Sequence, residues 1–309
     1  MGHPEPFELQ YVTVGNEDCG KRNYKGNYLK FFAAVRKAFP FVKIISNCDL
    51  TRNPVDHPAD YFEYHRYESA SVLFSYAHQF DAVSRQGPKV FASEYAVHGN
   101  DAGRGSLYGA IAEAAFLIGI EKNSDLVEMA SYAPLFQHVN DRTWTPNAIV
   151  FNSTHAYGTP SYWVQQFFIE SNGAILHNST LESPSKHLMA SAITWNDPES
   201  NQKHLRIKIV NFSGEKMRTS VSIKGKGYEV ASGTMTVLKS DDKMDENSLE
   251  NPNKVVPSRS PVAIAGKSME IELSPYSLTS VDLKRDSIAP TLPKVSSIYG
   301  SFSKYIALF

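Results

Sequence analysis

Two patterns of apolar residues divide the chain. Up to about residue 173, short apolar runs alternate with segments whose apolar residues recur at helical spacing. The runs typical of strands are residues 9–14, 42–46, 61–65, 90–93 and 127–132. Their spacing of roughly 20 to 40 residues is typical of repeated strand–helix units, so this part predicts a parallel sheet.

Four segments in this first part have helical periodicity. The apolar positions of the first two are Tyr28, Phe31, Phe32, Val35 and Phe39, then Val72, Tyr76 and Phe80. Residues 107–120 are apolar nearly all round, which predicts a deeply packed helix. The fourth segment, residues 162–169, ends before Gly173, a residue type that commonly terminates a helix.

After residue 173 the period changes from helical to alternating. Leu205, Ile207 and Ile209 alternate with Arg206 and Lys208, a pattern repeated around residues 269–273 and 281–283. Short alternating strands predict an antiparallel β-sandwich over residues 174–285. The polar, acidic segment 240–253 is predicted to be an exposed loop. Residues 286–309 form a predicted C-terminal tail with no assigned structure, and residues 1–173 form the first predicted domain.

Composition is that of a soluble globular protein, with 42% hydrophobic and 20% charged residues. A net charge of −1 gives no electrostatic reason to expect nucleic acid or an anionic membrane as a partner. No apolar run reaches the roughly 18 residues of a membrane helix.

The histidines are too scattered for a metal site, and residues 99–105 do not match a phosphate-binding loop. No metal or cofactor is therefore expected, and residues 99–105 are either a cleft rim or a plain connector.

The only cysteines, Cys19 and Cys48, each follow a predicted strand. A disulfide between them is conceivable, but two free, partly buried thiols are the commoner outcome. Acceptor sequons for N-glycosylation begin at Asn152, Asn178 and Asn211. Three sequons suit a secreted protein, although the N-terminal residues lack the features of a signal peptide.

Two carboxylates stand at the ends of predicted strands. Glu17 lies in the turn Gly15-Asn16-Glu17-Asp18 after the first strand, and Glu94 follows the fourth. Parallel strands bring their carboxyl ends to one face of a sheet. Because glycoside hydrolysis uses two carboxyl groups on opposite sides of the scissile bond, the pair predicts a glycosidase.

Four motifs carry a resemblance to a known family. They are residues 14–20 (VGNEDCG), 44–47 (IISN), 64–67 (YHRY) and 91–95 (FASEY). In this order the chain resembles the C-terminal half of the family 51 glycoside hydrolases, the α-L-arabinofuranosidases, and most closely their plant cell-wall members. The resemblance implies strands 4 to 8 of a TIM (β/α)8 barrel followed by an antiparallel β-sandwich. The earlier barrel strands of the family have no counterpart in these residues, and Met1 resembles an internal methionine of a longer chain.

The same resemblance implies a role for each site residue. Glu17 corresponds to the general acid/base and Glu94 to the nucleophile of an enzyme that retains anomeric configuration. The expected substrate-binding residues are Asn16 for the sugar 2-hydroxyl, His65 lining the cleft, Tyr67 hydrogen-bonded to the nucleophile, and Gln137. Asp18 is expected to point away and to make loop hydrogen bonds. Without the resemblance, a turn cap for Asn16 and core packing for His65 and Tyr67 are the simpler interpretations.

Two functions follow from these observations. The first is an α-L-arabinofuranosidase that removes terminal arabinofuranosyl residues from arabinoxylan or arabinan without a cofactor. The second is a catalytically impaired fragment that binds a carbohydrate or a partner through its sandwich. The family implies an arabinose-containing polysaccharide as partner, and secretion to the cell wall or extracellular matrix.

Overall fold

The computed structural model describes residues 2, 4–49, 51, 55–224, 233–262 and 266–284. The predicted tail, residues 286–309, lies outside the described residues. Within the described part, no helix is both long enough and apolar enough to cross a membrane.

Five parallel strands form one sheet in chain order, which confirms the predicted strand count. They are β1 (Tyr11–Val14), β2 (Lys43–Ser46), β3 (Tyr61–Glu68), β4 (Lys89–Val97) and β5 (Val127–Ala130). Both β3 and β4 continue past the predicted runs, because charged residues, Arg66 and Glu68 in β3 and Glu94 in β4, interrupt the apolar signal. As a result Glu94 lies within β4 instead of after it.

Four α-helices accompany this sheet. They are α1 (Tyr24–Ala38), α2 (Ala70–Ser75), α3 (Leu107–Lys122) and α4 (Pro160–Gln166). The second helix is shorter than predicted, since it gives way to a 3₁₀ turn at residues 76–78 and leaves Phe80 outside it. The fourth begins earlier than predicted, with Pro160 at its first position, where proline's missing N–H costs no hydrogen bond.

A small sheet follows β5 and was not predicted. It comprises β6 (Phe136–His138), β7 (Ile149–Phe151) and β8 (Ala156–Gly158). Strands of three residues are too short to show a period in the sequence. This sheet carries Gln137 and the loop that precedes β7.

The remaining strands form two antiparallel sheets, as the alternating pattern predicted. They are β9 (Ile175–Leu176), β10 (Leu188–Asn196), β11 (Lys203–Asn211), β12 (Met217–Ser222), β13 (Gly233–Leu238), β14 (Ser258–Val262), β15 (Ser268–Leu273) and β16 (Ser277–Lys284). The large sheet has the order β14-β13-β16-β11-β10-β9, and β12 pairs with β15. Ile207, Ile271 and Val281 belong to the apolar core between the two sheets.

Helix α3 lies between the parallel sheet and the large antiparallel sheet. Its residues share one buried core with Val90 and Ala92 of β4 and with Met189 and Val210 of the sandwich. Both sides of the helix are therefore covered by protein, which explains why its sequence is apolar nearly all round.

The acidic segment 240–253 is a loop with half of its residues exposed, as predicted, but part of it packs against the first turn of α3. The backbone N–H groups of Leu107 and Tyr108 donate to the carbonyls of Asp245 (3.0 Å) and Lys243 (2.6 Å). Asn247 is buried, and its amide donates to the Gly158 carbonyl at 2.8 Å. The segment thus accepts hydrogen bonds from backbone N–H groups in the first turn of α3 that have no partner within the helix. Its polar composition does not indicate this role.

Cys19 and Cys48 form a disulfide, so the expectation of two free thiols was wrong. Strands β1 and β2 are adjacent and parallel, and each cysteine follows the end of its strand. Their Cα atoms are 5.1 Å apart, within the range that a disulfide spans. The bond ties the turn that carries Glu17 to the end of β2.

Candidate active site

The carboxyl ends of β1 and β3 border an open cleft of about 660 Å³. Its lining includes Glu17, Glu63, His65 and Tyr67, and the Cys19–Cys48 disulfide forms part of its wall. Glu63, His65 and Tyr67 alternate along β3 and so share one face of the strand, and Arg66 and Glu68 at the end of the strand also line the cleft.

The turn after β1 holds Glu17 in a backbone conformation that side chains rarely adopt. Gly15 has φ +96° and Glu17 has φ +50°. The turn is tied to β2, since the Asp18 carboxylate accepts a hydrogen bond from the Asn47 amide. That contact confirms the predicted loop role of Asp18. With its turn held in this way, the Glu17 side chain is 57% exposed and faces the cleft.

The pairing of β3 with β4 is irregular, and as a result two consecutive residues of β4, Ser93 and Glu94, lie close to the imidazole of His65. Glu63 pairs with Phe91, but His65 pairs with Glu94, so two steps along β3 match three along β4. Ser93 Oγ lies 2.9 Å from His65 Nε2, and Glu94 Oε2 lies 3.6 Å from His65 Nδ1. In a regular strand, consecutive side chains would point to opposite faces; a bulge redirects one of them.

His65 lies between the two predicted catalytic carboxylates. Its Nδ1 is 3.1 Å from Glu17 Oε1. One carboxylate oxygen of Glu17, one of Glu94 and a ring nitrogen of His65 all lie within 4.8 Å of one another. The structure therefore brings together a residue of the turn after β1 and residues of β3 and β4, which are separated by up to 77 positions in the chain (94 − 17).

Three carboxylates set the charge of His65. Burial lowers the pKa of His65, but the neighbouring carboxylates of Glu63, Glu17 and Glu94 together outweigh it, so the pKa is raised. A protonated imidazole here offsets part of the repulsion between Glu17 and Glu94.

Tyr67 makes a hydrogen bond to the carboxylate of Glu94. Its hydroxyl donates to Glu94 Oε2 at 2.6 Å, and its ring meets the Trp144 ring edge-on at 5.2 Å between centroids. Burial, and next the hydrogen bond to Glu94, raise the pKa of Tyr67, so the phenol keeps its proton and remains a donor. This contact matches the predicted role of Tyr67.

Two cluster members were not identified from the sequence. Glu63 is buried, and its Oε2 lies 3.4 Å from His65 Nε2 without a hydrogen bond in the described structure. Ser93 also contacts this nitrogen. Glu63 could have been predicted, because Glu63, His65 and Tyr67 alternate along β3 and so share one face of the strand. Ser93 could not, because the bulge that redirects its side chain has no recognisable pattern in the sequence.

The other predicted binding residues differ in position. Asn16 is exposed on the turn beside Glu17. Gln137 is buried, and its amide donates to the carbonyls of His138, at 2.7 Å, and Asp141. These hydrogen bonds tie the loop after β6 and do not reach the Glu17–His65–Glu94 cluster. A sugar-binding role for Gln137 therefore stays a prediction.

The three predicted glycosylation sites also differ. Asn178 is exposed and Asn152 is half-buried. Asn211 is fully buried, and its amide nitrogen donates to the carbonyls of Glu215 (2.8 Å) and Ser274 (2.9 Å). The folded protein does not present Asn211 for modification.

Glu17, His65 and Glu94 are also close enough to hold a metal ion. Carboxylate oxygens and imidazole nitrogens suit several divalent metals. Each of the three groups, however, already has a hydrogen-bonding partner within the cluster. Carboxylate oxygens within 4.8 Å of each other are compatible with the short separation found in retaining glycosidases.

Family models match most of the chain. The model described as the Alpha-L-arabinofuranosidase C-terminal domain matches residues 93–277, and the Alpha-L-arabinofuranosidase 1 domain matches residues 1–85. Glu17 and Glu94 thus fall in different matched regions.

Named relatives and solved structures agree with the models. The chain is 56% identical to Alpha-L-arabinofuranosidase 1 of Arabidopsis thaliana over 296 residues, 95% of this chain and 43% of that protein. It is 34% identical over 284 residues to a probable alpha-L-arabinofuranosidase A of Aspergillus flavus, again covering 43% of that protein. The chain therefore spans less than half the length of these relatives.

The fold is also found in solved arabinofuranosidases. The arabinose-bound MgGH51 α-L-arabinofuranosidase superposes with a TM-score of 0.78 at 28% identity, covering 92% of this chain and 47% of that chain. The Thermotoga maritima alpha-L-arabinofuranosidase superposes with a TM-score of 0.70 at 19% identity, covering 92% and 68%, respectively. The matched models, the relatives and the fold agree with the geometry of the carboxylate pair, and the chain belongs to the family 51 α-L-arabinofuranosidases.

Proposed function

We propose that this chain carries the catalytic carboxylates of a retaining α-L-arabinofuranosidase, with Glu17 as general acid/base and Glu94 as nucleophile. The observation that carries the proposal is the approach of the two carboxylates to within 4.8 Å around His65. Retaining glycosidases hold their carboxyl groups about 5 to 5.5 Å apart, whereas inverting enzymes leave roughly 6.5 to 9.5 Å for a water molecule.

The proposed reaction has two steps. Glu94 attacks the anomeric carbon of the terminal arabinofuranosyl residue while protonated Glu17 gives its proton to the departing glycosidic oxygen, leaving a covalent ester on Glu94. Glu17, now a carboxylate, takes a proton from water, which attacks the same carbon and releases arabinose and free Glu94. Each attack inverts the anomeric centre, so two attacks retain its configuration.

The neighbours of the pair suit these steps. The hydrogen bond from Tyr67 orients Glu94 for attack. Asn16, exposed beside Glu17, is positioned to contact the sugar.

The proposed architecture follows from the sheet. Strands β1 to β5 lie in parallel and in chain order, as strands 4 to 8 of a TIM barrel would. In that assignment Glu17 follows barrel strand 4 and Glu94 lies on barrel strand 7. The proposed substrates are arabinoxylan and arabinan, encountered after secretion to the cell wall, with the exposed Asn178 as a glycosylation site.

The test is release of nitrophenol from 4-nitrophenyl α-L-arabinofuranoside by the full 309-residue chain. Glu94→Ala should lower kcat roughly a thousandfold or more, because it removes the nucleophile. Glu17→Ala should slow hydrolysis by about 10²- to 10⁴-fold, with breakdown of the ester becoming limiting. Glu270→Ala, a change on an exposed position of β15, is the control and should leave the rate unchanged.

Azide separates the two roles. Added to Glu94→Ala, it should give arabinosyl azide of inverted configuration, since azide replaces the enzyme nucleophile in a single attack. Added to Glu17→Ala, azide should attack the ester on Glu94 and give arabinosyl azide of retained configuration. Hydrolysis that survives both substitutions would overturn the assignment, and binding of arabinoxylan without turnover would favour a carbohydrate-binding fragment.

A further inference from the structure

Glu63 is a third carboxylate of the cleft, and the proposed reaction gives it no role. It lies on β3, two residues before His65, and its side chain is only 8% exposed. Its Oε2 has no hydrogen-bonding partner in the part of the chain that the structure describes. A buried carboxylate oxygen without a hydrogen bond destabilises the fold unless a positive charge lies beside it.

The imidazole of His65 supplies that positive charge when it is protonated. Glu63 Oε2 lies 3.4 Å from His65 Nε2, within ion-pair distance. The other ring nitrogen, Nδ1, lies 3.1 Å from Glu17 Oε1 and 3.6 Å from Glu94 Oε2, which also accepts the hydrogen bond from Tyr67. One ring therefore has Glu63 at one nitrogen and the two proposed catalytic carboxylates at the other.

Among the described residues, no lysine or arginine forms an ion pair with these three carboxylates. The charged groups nearby have other partners. Arg66, the next residue of β3, donates to Asp49 after β2 at 2.6 Å. Asp18, in the turn after β1, accepts a hydrogen bond from Asn47. The charge of the cluster therefore depends on whether His65 is protonated.

Both ring nitrogens of His65 face acceptors. A neutral imidazole carries a proton on only one nitrogen, whereas an imidazolium carries one on each. In the imidazolium, Nε2–H faces Glu63 and Ser93, whose Oγ is 2.9 Å away, and Nδ1–H faces Glu17 and Glu94. The cluster thus favours the doubly protonated ring, in agreement with the raised pKa of His65.

We propose that Glu63 is a positioning residue, which keeps His65 doubly protonated so that Nδ1 presents an N–H and a positive charge to Glu17 and Glu94. The consequence for hydrolysis rests on the proposed function, in which these two carboxylates act as acid/base and nucleophile. The effect of Glu63 on the protons of His65 does not, because it is measured in protein without substrate. The two proposals can therefore fail independently.

The first measurement follows the protonation of His65 in the full chain by NMR of ¹⁵N-labelled histidine rings, with His65→Asn to identify the signal. Glu63→Gln removes the charge at nearly constant size. It should make His65 lose its proton at a lower pH than in the wild type, because one of the three carboxylates that raise its pKa is gone. Glu128→Gln, which changes a glutamate of β5 outside the cleft, should leave the titration unchanged.

The second measurement is the pH profile of nitrophenol release. Glu63→Gln should leave kcat at pH 5 within about twofold of the wild type but lower kcat at pH 8 roughly three- to tenfold, because the imidazolium is lost at a lower pH. KM should change little, since Glu63 acts through His65. Glu63→Asp keeps the charge but draws it back from the ring, so it should shift both the titration and the profile in the same direction by less.

An unchanged titration of His65 in Glu63→Gln, or in Glu63→Asp if the first variant does not fold, would overturn the proposal. A loss of kcat that is equal at pH 5 and pH 8 would also overturn it, since a merely structural role predicts that result. So would an equal shift of the titration in Glu128→Gln. A lower titration of His65 in a protein that releases no nitrophenol would support the role of Glu63 and contradict only the proposed hydrolysis.

Discussion

Glu113 is a fully buried carboxyl on α3, directly behind β4. Its Oε1 accepts a hydrogen bond from the Val97 backbone N–H at 2.9 Å, and Oε2 has no hydrogen-bonding partner in the described structure. Burial raises the pKa of Glu113 to about 8, although the nearby Ser161 side chain and the hydrogen bond from Val97 act in the opposite direction. The folded protein therefore keeps a proton on Glu113 that the unfolded chain releases at a lower pH.

That difference predicts how stability varies with pH. Between pH 4.5 and about 8 the unfolded chain has lost this proton and the folded state has not, so the free energy of unfolding falls as pH rises. The Glu113 contribution to the slope is at most about 1.4 kcal/mol per pH unit. Glu113→Gln should remove it, making the variant more stable relative to the wild type at pH 8 than at pH 5.

Urea unfolding at several pH values measures the Glu113 contribution. Glu270→Gln, which changes an exposed glutamate of β15, should track the wild type throughout. A constant stability difference between Glu113→Gln and the wild type from pH 5 to pH 8 would show that the buried carboxyl does not retain its proton.

At the same scale, the sequence identified only part of the candidate catalytic cluster around His65. Glu17, His65, Tyr67 and Glu94 were found because their motifs resemble those of a family, and the structure brings them together. Ser93 was missed because its contact with His65 depends on a bulge, and a bulge adds one ordinary residue to a strand without a characteristic residue type.

The turn between β1 and α1 depends on a residue without a side chain. A Cβ atom on Gly15 would lie 2.4 Å from Asp18 Oδ1, 2.6 Å from Asn47 Nδ2 and 2.9 Å from a ring carbon of Tyr24. All three neighbours are held in place, since Asp18 bonds to Asn47 and the Tyr24 hydroxyl donates to the Val14 carbonyl at 3.0 Å. The positive φ of Gly15 adds a second reason for glycine.

Gly15→Ala should therefore displace the turn and Glu17 with it. Gly87→Ala is the matched control, because Gly87 has φ +103° but no atom within 4 Å of the added Cβ. Both variants strain the backbone, but crowding should cost Gly15→Ala about 1 to 3 kcal/mol more in the free energy of unfolding. Urea midpoints and nitrophenol release measure the two effects, and equal losses in both variants would refute the crowding argument.

Elements with a long or regular pattern were predicted best. The five parallel strands, α3 and the alternating strands of the sandwich all appear close to their predicted positions. The small sheet was missed because each strand has only three residues. Segment 240–253 is the predicted loop, with half of its residues exposed, but its packing through backbone carbonyls and Asn247 was not predicted, because polar composition does not reveal such contacts.

At the scale of the whole molecule, one buried ion pair joins the parallel-sheet unit to the sandwich. Lys208 of β11 is fully buried, and its Nζ lies 2.5 Å from Glu121 Oε1 on α3 and 2.8 Å from Ser171 Oγ. Burial lowers the pKa of Lys208, and the charge of Glu121 offsets part of that effect. The alternation in β11 predicts a strand, but it does not say that protein covers the face carrying Lys208.

Removing only the cation should leave a buried carboxylate without its partner. Lys208→Met is expected to lower the free energy of unfolding by about 3 to 5 kcal/mol, whereas the double variant Lys208→Met/Glu121→Gln should regain part of the loss. Lys216→Met is the control, since its ion pair with Glu272 is exposed and should contribute little to stability. Urea unfolding followed by fluorescence and circular dichroism compares the three variants. A double variant no more stable than Lys208→Met would mean that packing of the Lys208 stem, and not its charge, joins α3 to the sandwich.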